Sequence, residues 1–446
     1  MLALRHEPMD DFSYYPQDYT EEASASSISM ADTPTFISLP HLTKYSDEAQ
    51  DKPIFTDNVI TEDMCIRGID MQGIDWFKET MTRDEYRNQR VREYETYLSC
   101  KGDDEDDTLE EQIQSQQTKP VTKNEEYYTF KSSKISEPCS IGHFQLRNLV
   151  WSTNKNNVYY IWGDTVRQWS PQRQKSSQVM DLSVANMPGS LLCKITSITC
   201  GHQLLFVGGF QGEYAWKSLD SDSPIQYLSN ASTPPGITNY AEIIQDKQGV
   251  TLGIVSNNNS SVKYINLGTT QIQQTLSMPF AVNCSATSPD QNMLCLVGDS
   301  TETHLVDANN GESIVTIDEH FDFSFACCWN PDGRTFATGN QDRTTRVYDI
   351  RNASKALHVL GSSVGAIRSL HYSNDGQYLA AAEPIDFVHI YETQTYNSSQ
   401  VIDMFGDIAG VSFTPEDHSL FIANTDECVG GIFEFQKVEE DPIFYF

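Results

Sequence analysis

The chain has 446 residues, 62 of them acidic against 30 basic, for a formal net charge of −32. That balance argues against nucleic acid or an anionic membrane as a main partner, because both reward clustered lysine and arginine. No stretch nears the ~18 consecutive apolar residues of a spanning helix, and the N-terminus MLALRHEPMDDF turns acidic before a signal-like apolar run develops.

Taken in chain order, residues 1–62 are polar and acidic, and the run SASSIS with scattered prolines predicts a disordered tail. Residues 63–99 differ. Thr82 followed by Glu85 is a capping-box pattern, which predicts a helix from Arg83 to about Leu98. Tyr86, Tyr94 and Tyr97 or Leu98 fall near one stripe of it, beside Arg83, Arg87 and Arg90. With Trp76, these aromatics and arginines form a candidate docking helix, either for the chain's own globular part or for a partner. Residues 100–124, with DDEDD at their centre, predict a solvated acidic linker or a short frayed helix. EEYYTFKSS (125–133) predicts a lone strand.

From there to residue 437 the sequence repeats. Asn154, His202, Asp246, Asp290, Asp332, Asp375 and Asp417 each stand in a polar turn after a short strand, 42 to 48 residues apart. In the last four units a closing pair follows the anchor by 16 residues: Val306-Asp307, Tyr348-Asp349, Tyr391-Glu392 and Phe433-Glu434. Seven such units of four strands predict an all-β fold, a closed seven-bladed β-propeller, carrying an acidic, largely disordered N-terminal extension with one amphipathic helix. The last unit ends at its third strand, so the lone strand near Tyr127–Lys131 is expected to complete it and close the ring. Residues 438–446 form a C-terminal tail.

His320, Thr338, Asp342 and Tyr348 stand at the offsets where WD40 repeats place a His, a Ser or Thr, an Asp and a Trp in a buried hydrogen-bond chain. The repeats therefore resemble WD40 repeats over about residues 125–437. Tyr348 replaces the tryptophan; its hydroxyl is expected to donate into the chain, so that Tyr348→Phe would cost about 1–3 kcal/mol. The set reads as a structural tetrad. In the next unit Ser363, Ala381 and Ile385 occupy the first three places, and the chain is lost. The segments DMQGIDW, TRDEYRNQRVREYETY, AAEPIDFVHIYE and FGDIAGVSFTPEDHSLFIA further resemble a WD-repeat family shared by fungi and plants, uncharacterised in biochemical role. That resemblance implies a cytoplasmic and/or nuclear protein and supplies no activity.

Two further places are candidate surfaces. Tyr348-Asp349-Ile350-Arg351 is similar to the box by which some WD40 proteins dock on the adaptor of cullin-4 ubiquitin ligases, with Asp349 and Arg351 as the contacting residues. Asp-x-Arg after a third strand is also common in WD40 repeats that meet no ligase. Glu383, Pro384, Asp386 and Phe387 form a stiffened turn, either a plain turn variant or a recognition feature at the rim. Histidines are scattered without ligand spacing, and no phosphate-binding loop or phased nucleophile is present. Ten cysteines lack any C-x-x-C pair, and adjacent Cys327 and Cys328 face opposite sides of a strand. The expectation is a non-enzymatic scaffold with protein partners, no cofactor and no metal; an enzyme site in a central channel is kept as an alternative.

Overall fold

Each repeat unit becomes a four-stranded antiparallel sheet because short apolar strands alternate with turns built on Asp, Asn and Gly. The computed structural model describes residues 59–100, 106–123, 125–135, 137–183, 193–229 and 236–439. Within these, blades 1 to 5 are separate four-stranded sheets, and blades 6 and 7 are joined in one eight-stranded sheet. Six of the seven sequence anchors lie in the turn between a blade's first and second strand, as in Thr335–Asn340 following Ser324–Trp329 across Asp332, and Asn154 ends the first strand of its blade. The side-chain oxygens make these turns: Asp332 accepts from the amides of Arg334 (2.8 Å) and Thr335 (3.4 Å), and Asp290 from that of Asn292 (3.1 Å).

The ring closes in blade 7. Tyr128–Ile135 pairs antiparallel with Gly431–Lys437, from Tyr128 opposite Lys437 to Ile135 opposite Gly431, with a bulge between Phe130 and Ser132. Val59–Thr61 then adds outside it, Val59 opposite Lys134, as a fifth strand. The tail expected over 1–62 otherwise lies outside the described residues. At the other edge of this sheet one strand, Ser399–Phe413, serves two blades. Its first part pairs with Ile385–Glu392 of blade 6, its last part with Ser419–Asn424 of blade 7.

The core is distributed along the seams between blades. One apolar cluster joins blades 7, 1 and 2 through Phe421, Ile432, Leu149 and Ile198. Another joins blades 6 and 7 through Ala380, Val388, Phe413 and Phe433, and takes in Tyr128 from the closing strand. All ten cysteines are free thiols. Burial pushes the Cys139 and Cys193 thiols up to about 12, so they stay protonated.

The extension departs from the one-helix expectation. It holds α1 (Glu62–Ile66), α2 (Arg83–Glu93) and α3 (Asp106–Ser115). The segment read as an acidic linker or a short frayed helix holds α3, and a bonded strip follows it. Arg343 donates to Glu110 of α3 (2.7 Å), Arg346 to Gln116 Oε1 (2.8 Å), the Lys119 amide to Val359 O (2.7 Å) and the Thr122 amide to Asn397 O (2.9 Å). The DDEDD run lies mostly outside the described residues; beyond it, Arg343 of blade 5 supplies counter-charge to Glu110.

Candidate functional site

The residues singled out in 63–99 and in the blade-6 turn come together in a single site. The Thr82 box forms as expected: the Glu85 amide donates to Thr82 Oγ1 (3.3 Å) and the Thr82 amide to Glu85 Oε2 (2.8 Å). This fixes the start of α2 and sets Arg83, Arg87 and Arg90 on the face turned to the propeller. Arg83 Nη2 donates to Asp403 O (2.7 Å) and Asp403 Oδ1 (2.9 Å). Arg87 bridges two carboxylates, Asp386 Oδ2 at 2.6 Å and Asp403 Oδ1 at 2.5 Å. Arg90 forks onto Asp386, 2.8 Å to each oxygen.

Aromatic rings fill the space between these pairs. Phe405 is fully buried, with Tyr86 and Trp76 at 5.1 and 5.4 Å between centroids. The Arg87 guanidinium sits 4.3 Å over Phe405 and 4.6 Å over Phe387. Burial works against the Arg90 charge, but Asp386 outweighs it and raises the pKa. Ahead of α2, Gln72 pairs with the backbone of Phe405 in both directions, its Nε2 donating to Phe405 O (2.7 Å) and its Oε1 accepting from the Phe405 amide (2.6 Å). Trp76 Nε1 donates to Asp70 Oδ2 (3.1 Å).

α2 ends at Glu93, five residues short of the expected Leu98. Tyr94 is already extended, with ψ 120°. An extended chain gains about twice the length per residue of a helix, and this stretch has to cross the end of the ring. Tyr94 packs against Gly365, where an added Cβ would stand 3.0 Å from its hydroxyl and 3.1 Å from Pro384 Cδ. Thr96 Oγ1 donates to Val364 O (3.0 Å). The Tyr97 hydroxyl accepts from Arg368 Nη2 (2.6 Å) and Gln145 Nε2 (2.9 Å) at the channel end. The amides of Ser99 and Cys100 reach Asp322 Oδ2 and Oδ1 (2.8 and 3.1 Å). The result is a strap across one end of the propeller, from blade 7 over blade 6 and the channel to blade 5.

The blade-6 turn therefore corrects one reading: it is not a free rim feature. Glu383 is fully buried and accepts from the amides of Ser363, Val364 and Gly365 (2.6, 2.8 and 2.6 Å) and from His389 Nε2 (2.7 Å). Asp386, at φ +67°, is 1% exposed and also accepts from the Gly406 amide (2.8 Å). Pro384 contributes its carbonyl to the Ile408 amide (2.9 Å). The buried chain missing from blade 6 by WD40 offsets is replaced by this Glu383–His389 pair.

In blade 5 the tetrad is a triad. His320 Nδ1 lies 2.9 Å from Asp342 Oδ2 and its Nε2 2.8 Å from Thr338 Oγ1. Burial opposes ionisation of Asp342, but His320 and Thr344 hold its carboxyl below the ordinary value. The Tyr348 hydroxyl is buried and lies towards Thr338, but among the described residues it meets no partner in ordinary hydrogen-bond geometry; its ring stacks on Phe336, 5.2 Å between centroids. The phenol keeps the stacking of the usual tryptophan without its bond. The expected cost of Tyr348→Phe is therefore withdrawn: the change should leave stability unaltered or raise it slightly, because it removes an unpaired buried hydroxyl. Urea denaturation checks this; a loss above about 1 kcal/mol would restore the tetrad.

Asp349 and Arg351 bind each other. Arg351 Nε lies 2.9 Å from Asp349 Oδ1 and its Nη2 2.5 Å from Oδ2, which holds the Asp349 carboxyl at about 2. The Arg351 side chain is 76% exposed. It lies at the end of a third strand, on the side of the ring away from the strap.

Sequence reasoning missed Gln72, Asp403, Phe405, Asp322 and Arg368. For Gln72, Asp403 and Phe405 the signal lay in DMQGIDW and FGDIAGVSF, which hold or adjoin them and carry polar and aromatic residues off the blade pattern; Asp322 and Arg368 had none. Among the described residues no three His, Cys, Asp or Glu side chains stand together as metal ligands, and no helix is long and apolar enough to cross a membrane.

Antiparallel four-stranded sheets arranged in a ring, closed by an N-terminal strand, define a β-propeller of repeated units. The family model "WD domain, G-beta repeat" matches residues 311–349, the blade that holds the His320 triad. Protein SOF1 of Saccharomyces cerevisiae is 31% identical over 77 residues, 17% of this chain and 16% of that protein. The serine-threonine kinase receptor-associated protein of Dictyostelium discoideum is 33% identical over 72 residues, 16% of this chain and 25% of that one. The matches thus span a quarter or less of either relative's length. A chain in the crystal structure of the mitotic checkpoint complex superposes with a TM-score of 0.59 at 16% identity, over 73% of this chain and 96% of that one; this is a likeness of fold. The protein is a WD40-repeat protein with a propeller-like fold.

Proposed function

We propose that the protein is a non-enzymatic scaffold that binds protein partners on the end of the propeller opposite the strap. The supporting observation is occupancy. Loops that enter each first strand and join second to third strands are covered over blades 5 to 7 by the chain's own residues 70–100 and 108–116, with Arg83, Arg87 and Arg90 spent on Asp386 and Asp403. The turns between first and second strands, at the other end of every blade, carry exposed side chains such as Lys155 and Lys247. A rigid closed ring whose blades leave only short edges suits such a platform.

The test is cross-linking mass spectrometry on complexes purified with the full chain. Partner cross-links are expected at Lys155, Lys247 and Lys355, and not at Lys78 on the strap. Cross-links confined to the strap end, or no stoichiometric partner, would defeat the reading. A second reading, docking on a cullin-4 ligase adaptor through Asp349 and Arg351, is favoured by one observation: Arg351 is exposed on the open side and held in a fixed pose by Asp349. Arg351→Ala should then abolish adaptor recovery while leaving the melting temperature unchanged; recovery equal to wild type, or none from either, rules it out.

A further inference from the structure

Beneath Tyr97 the channel end narrows to a recess whose lining includes Gln145, Arg147, Asn148, Arg368 and Ser369, with a free volume of about 20 Å³. Arg147 and Arg368 are 2% and 5% exposed. Among the described residues, Nε and Nη1 of both have no hydrogen-bond partner. Only the far nitrogens are engaged. Arg368 Nη2 donates to the Tyr97 hydroxyl and to Gln341 Oε1, both at 2.6 Å, while Arg147 Nη2 faces Asp407 Oδ2 at 3.8 Å. The Arg368 guanidinium also lies 3.7 Å over the Phe325 ring, which leaves its in-plane N–H groups to find an acceptor.

Nearby carboxylates do not supply it. Asp322 is taken up by the amides of Ser99, Cys100 and Phe323, and Asp299 by Asn283 Nδ2 (2.9 Å). Asp407 stands beyond hydrogen-bond distance, and burial raises its pKa. His143 nearby adds no charge: burial, with Arg368, Arg147 and Lys194, pushes it down to about 4 and keeps it neutral. Asn148 Oδ1 and Ser369 Oγ are unpartnered as well, one an acceptor and the other also a donor.

The volume admits one water-sized atom. A water offers two lone pairs, fewer than the N–H bonds that Nε and Nη1 of the two arginines present. A monatomic anion accepts from several donors at once and offsets the repulsion between two buried guanidinium groups. We propose that this recess is a halide site, filled by chloride between Arg147 and Arg368 and closed over by Tyr97. The ion then ties the strap to the channel wall, because Arg368 holds both.

Two measurements on the full chain test this. Exchange of chloride for gluconate at constant ionic strength should lower the wild-type melting temperature by about 2–4 °C, with no such dependence in Arg368→Gln. Crystals soaked in sodium bromide should show an anomalous peak between the two guanidinium groups. Equal melting in both salts, or no peak, overturns the proposal in favour of water. A peak without any salt dependence means an adventitious ion only and overturns it too. If Arg368→Gln does not fold, the wild-type salt exchange and the bromide peak still decide.

Discussion

Asp386→Asn should release the strap from the propeller and destabilise it by about 3–5 kcal/mol. Asp386 is 1% exposed and is the shared acceptor of Arg87 Nη1, Arg90 Nε and Arg90 Nη2, with the Gly406 amide as a fourth donor. Removing the charge takes from Arg90, 5% exposed, the carboxylate it forks onto, and leaves Arg87, 9% exposed, with Asp403 in place of two carboxylates. Asparagine is the informative replacement because the backbone at Asp386 has φ +67°, a region that asparagine tolerates and alanine resists. The loss then reports charge and not backbone strain.

The loss should also be local. α2 rests on the propeller mainly through Phe405, Tyr86, Trp76 and the three arginines, whereas the blades hold together through their own seams. Hydrogen exchange should therefore speed up over residues 83–100 and stay slow in the inner strands. Trypsin should cut at Arg83, Arg87 and Arg90 in the variant and not in the wild type. Asp403→Asn should have a smaller effect, since the Asp403 side chain is 32% exposed and water can replace it. Unchanged protection of α2 in Asp386→Asn would mean that the strap is held by its aromatic contacts alone.

The contrast between what the sequence disclosed and what it hid has a physical basis. The seven turns were visible because each needs an Asp, Asn or His at a fixed place after a strand, and that need recurs every forty-odd residues. The start of α2 was visible because the Thr82–Glu85 box is local. The end of α2 was not, because Tyr94 and Thr96 leave the helix to meet Gly365 and Val364, which are some 270 residues away in sequence. The partners of the arginine row were hidden for the same reason. Asp386 and Phe387 drew attention as an unusual turn, yet nothing in their spacing points to residues 83–90. Tyr348 shows the reverse error: the pattern position was right, but a phenol is not the shape of an indole, and its hydroxyl falls short of Thr338. Local pattern fixes elements and turns; contacts between distant segments need the folded chain.

The closing strand carries the second large effect. Deleting residues 125–133 should abolish the folded monomer, because it strips most of the outer strand from blade 7 and the support from Val59–Thr61 at once. Gly431–Lys437 would become an open edge, with Phe433 and Phe435 uncovered on a flat strand, a template for aggregation. The strap would fail with it, since its first strand pairs with Ser132 to Lys134. A graded version separates the ring from the edge. Tyr128 is fully buried, packs against Tyr378 and Phe413 at 5.7 Å each, and donates to Asp417 O (3.1 Å) in the blade-7 turn. Tyr128→Ala leaves the backbone pairing intact and should cost about 3–5 kcal/mol through the cavity, while Tyr128→Phe should cost about 1 kcal/mol for the lost bond. The deletion should fall outside this series, giving insoluble protein or a loss of cooperative unfolding. If the deleted chain instead melts cooperatively at the wild-type temperature, the last blade is stable with three strands, and the strand from Tyr128 to Ile135 covers the ring without closing it.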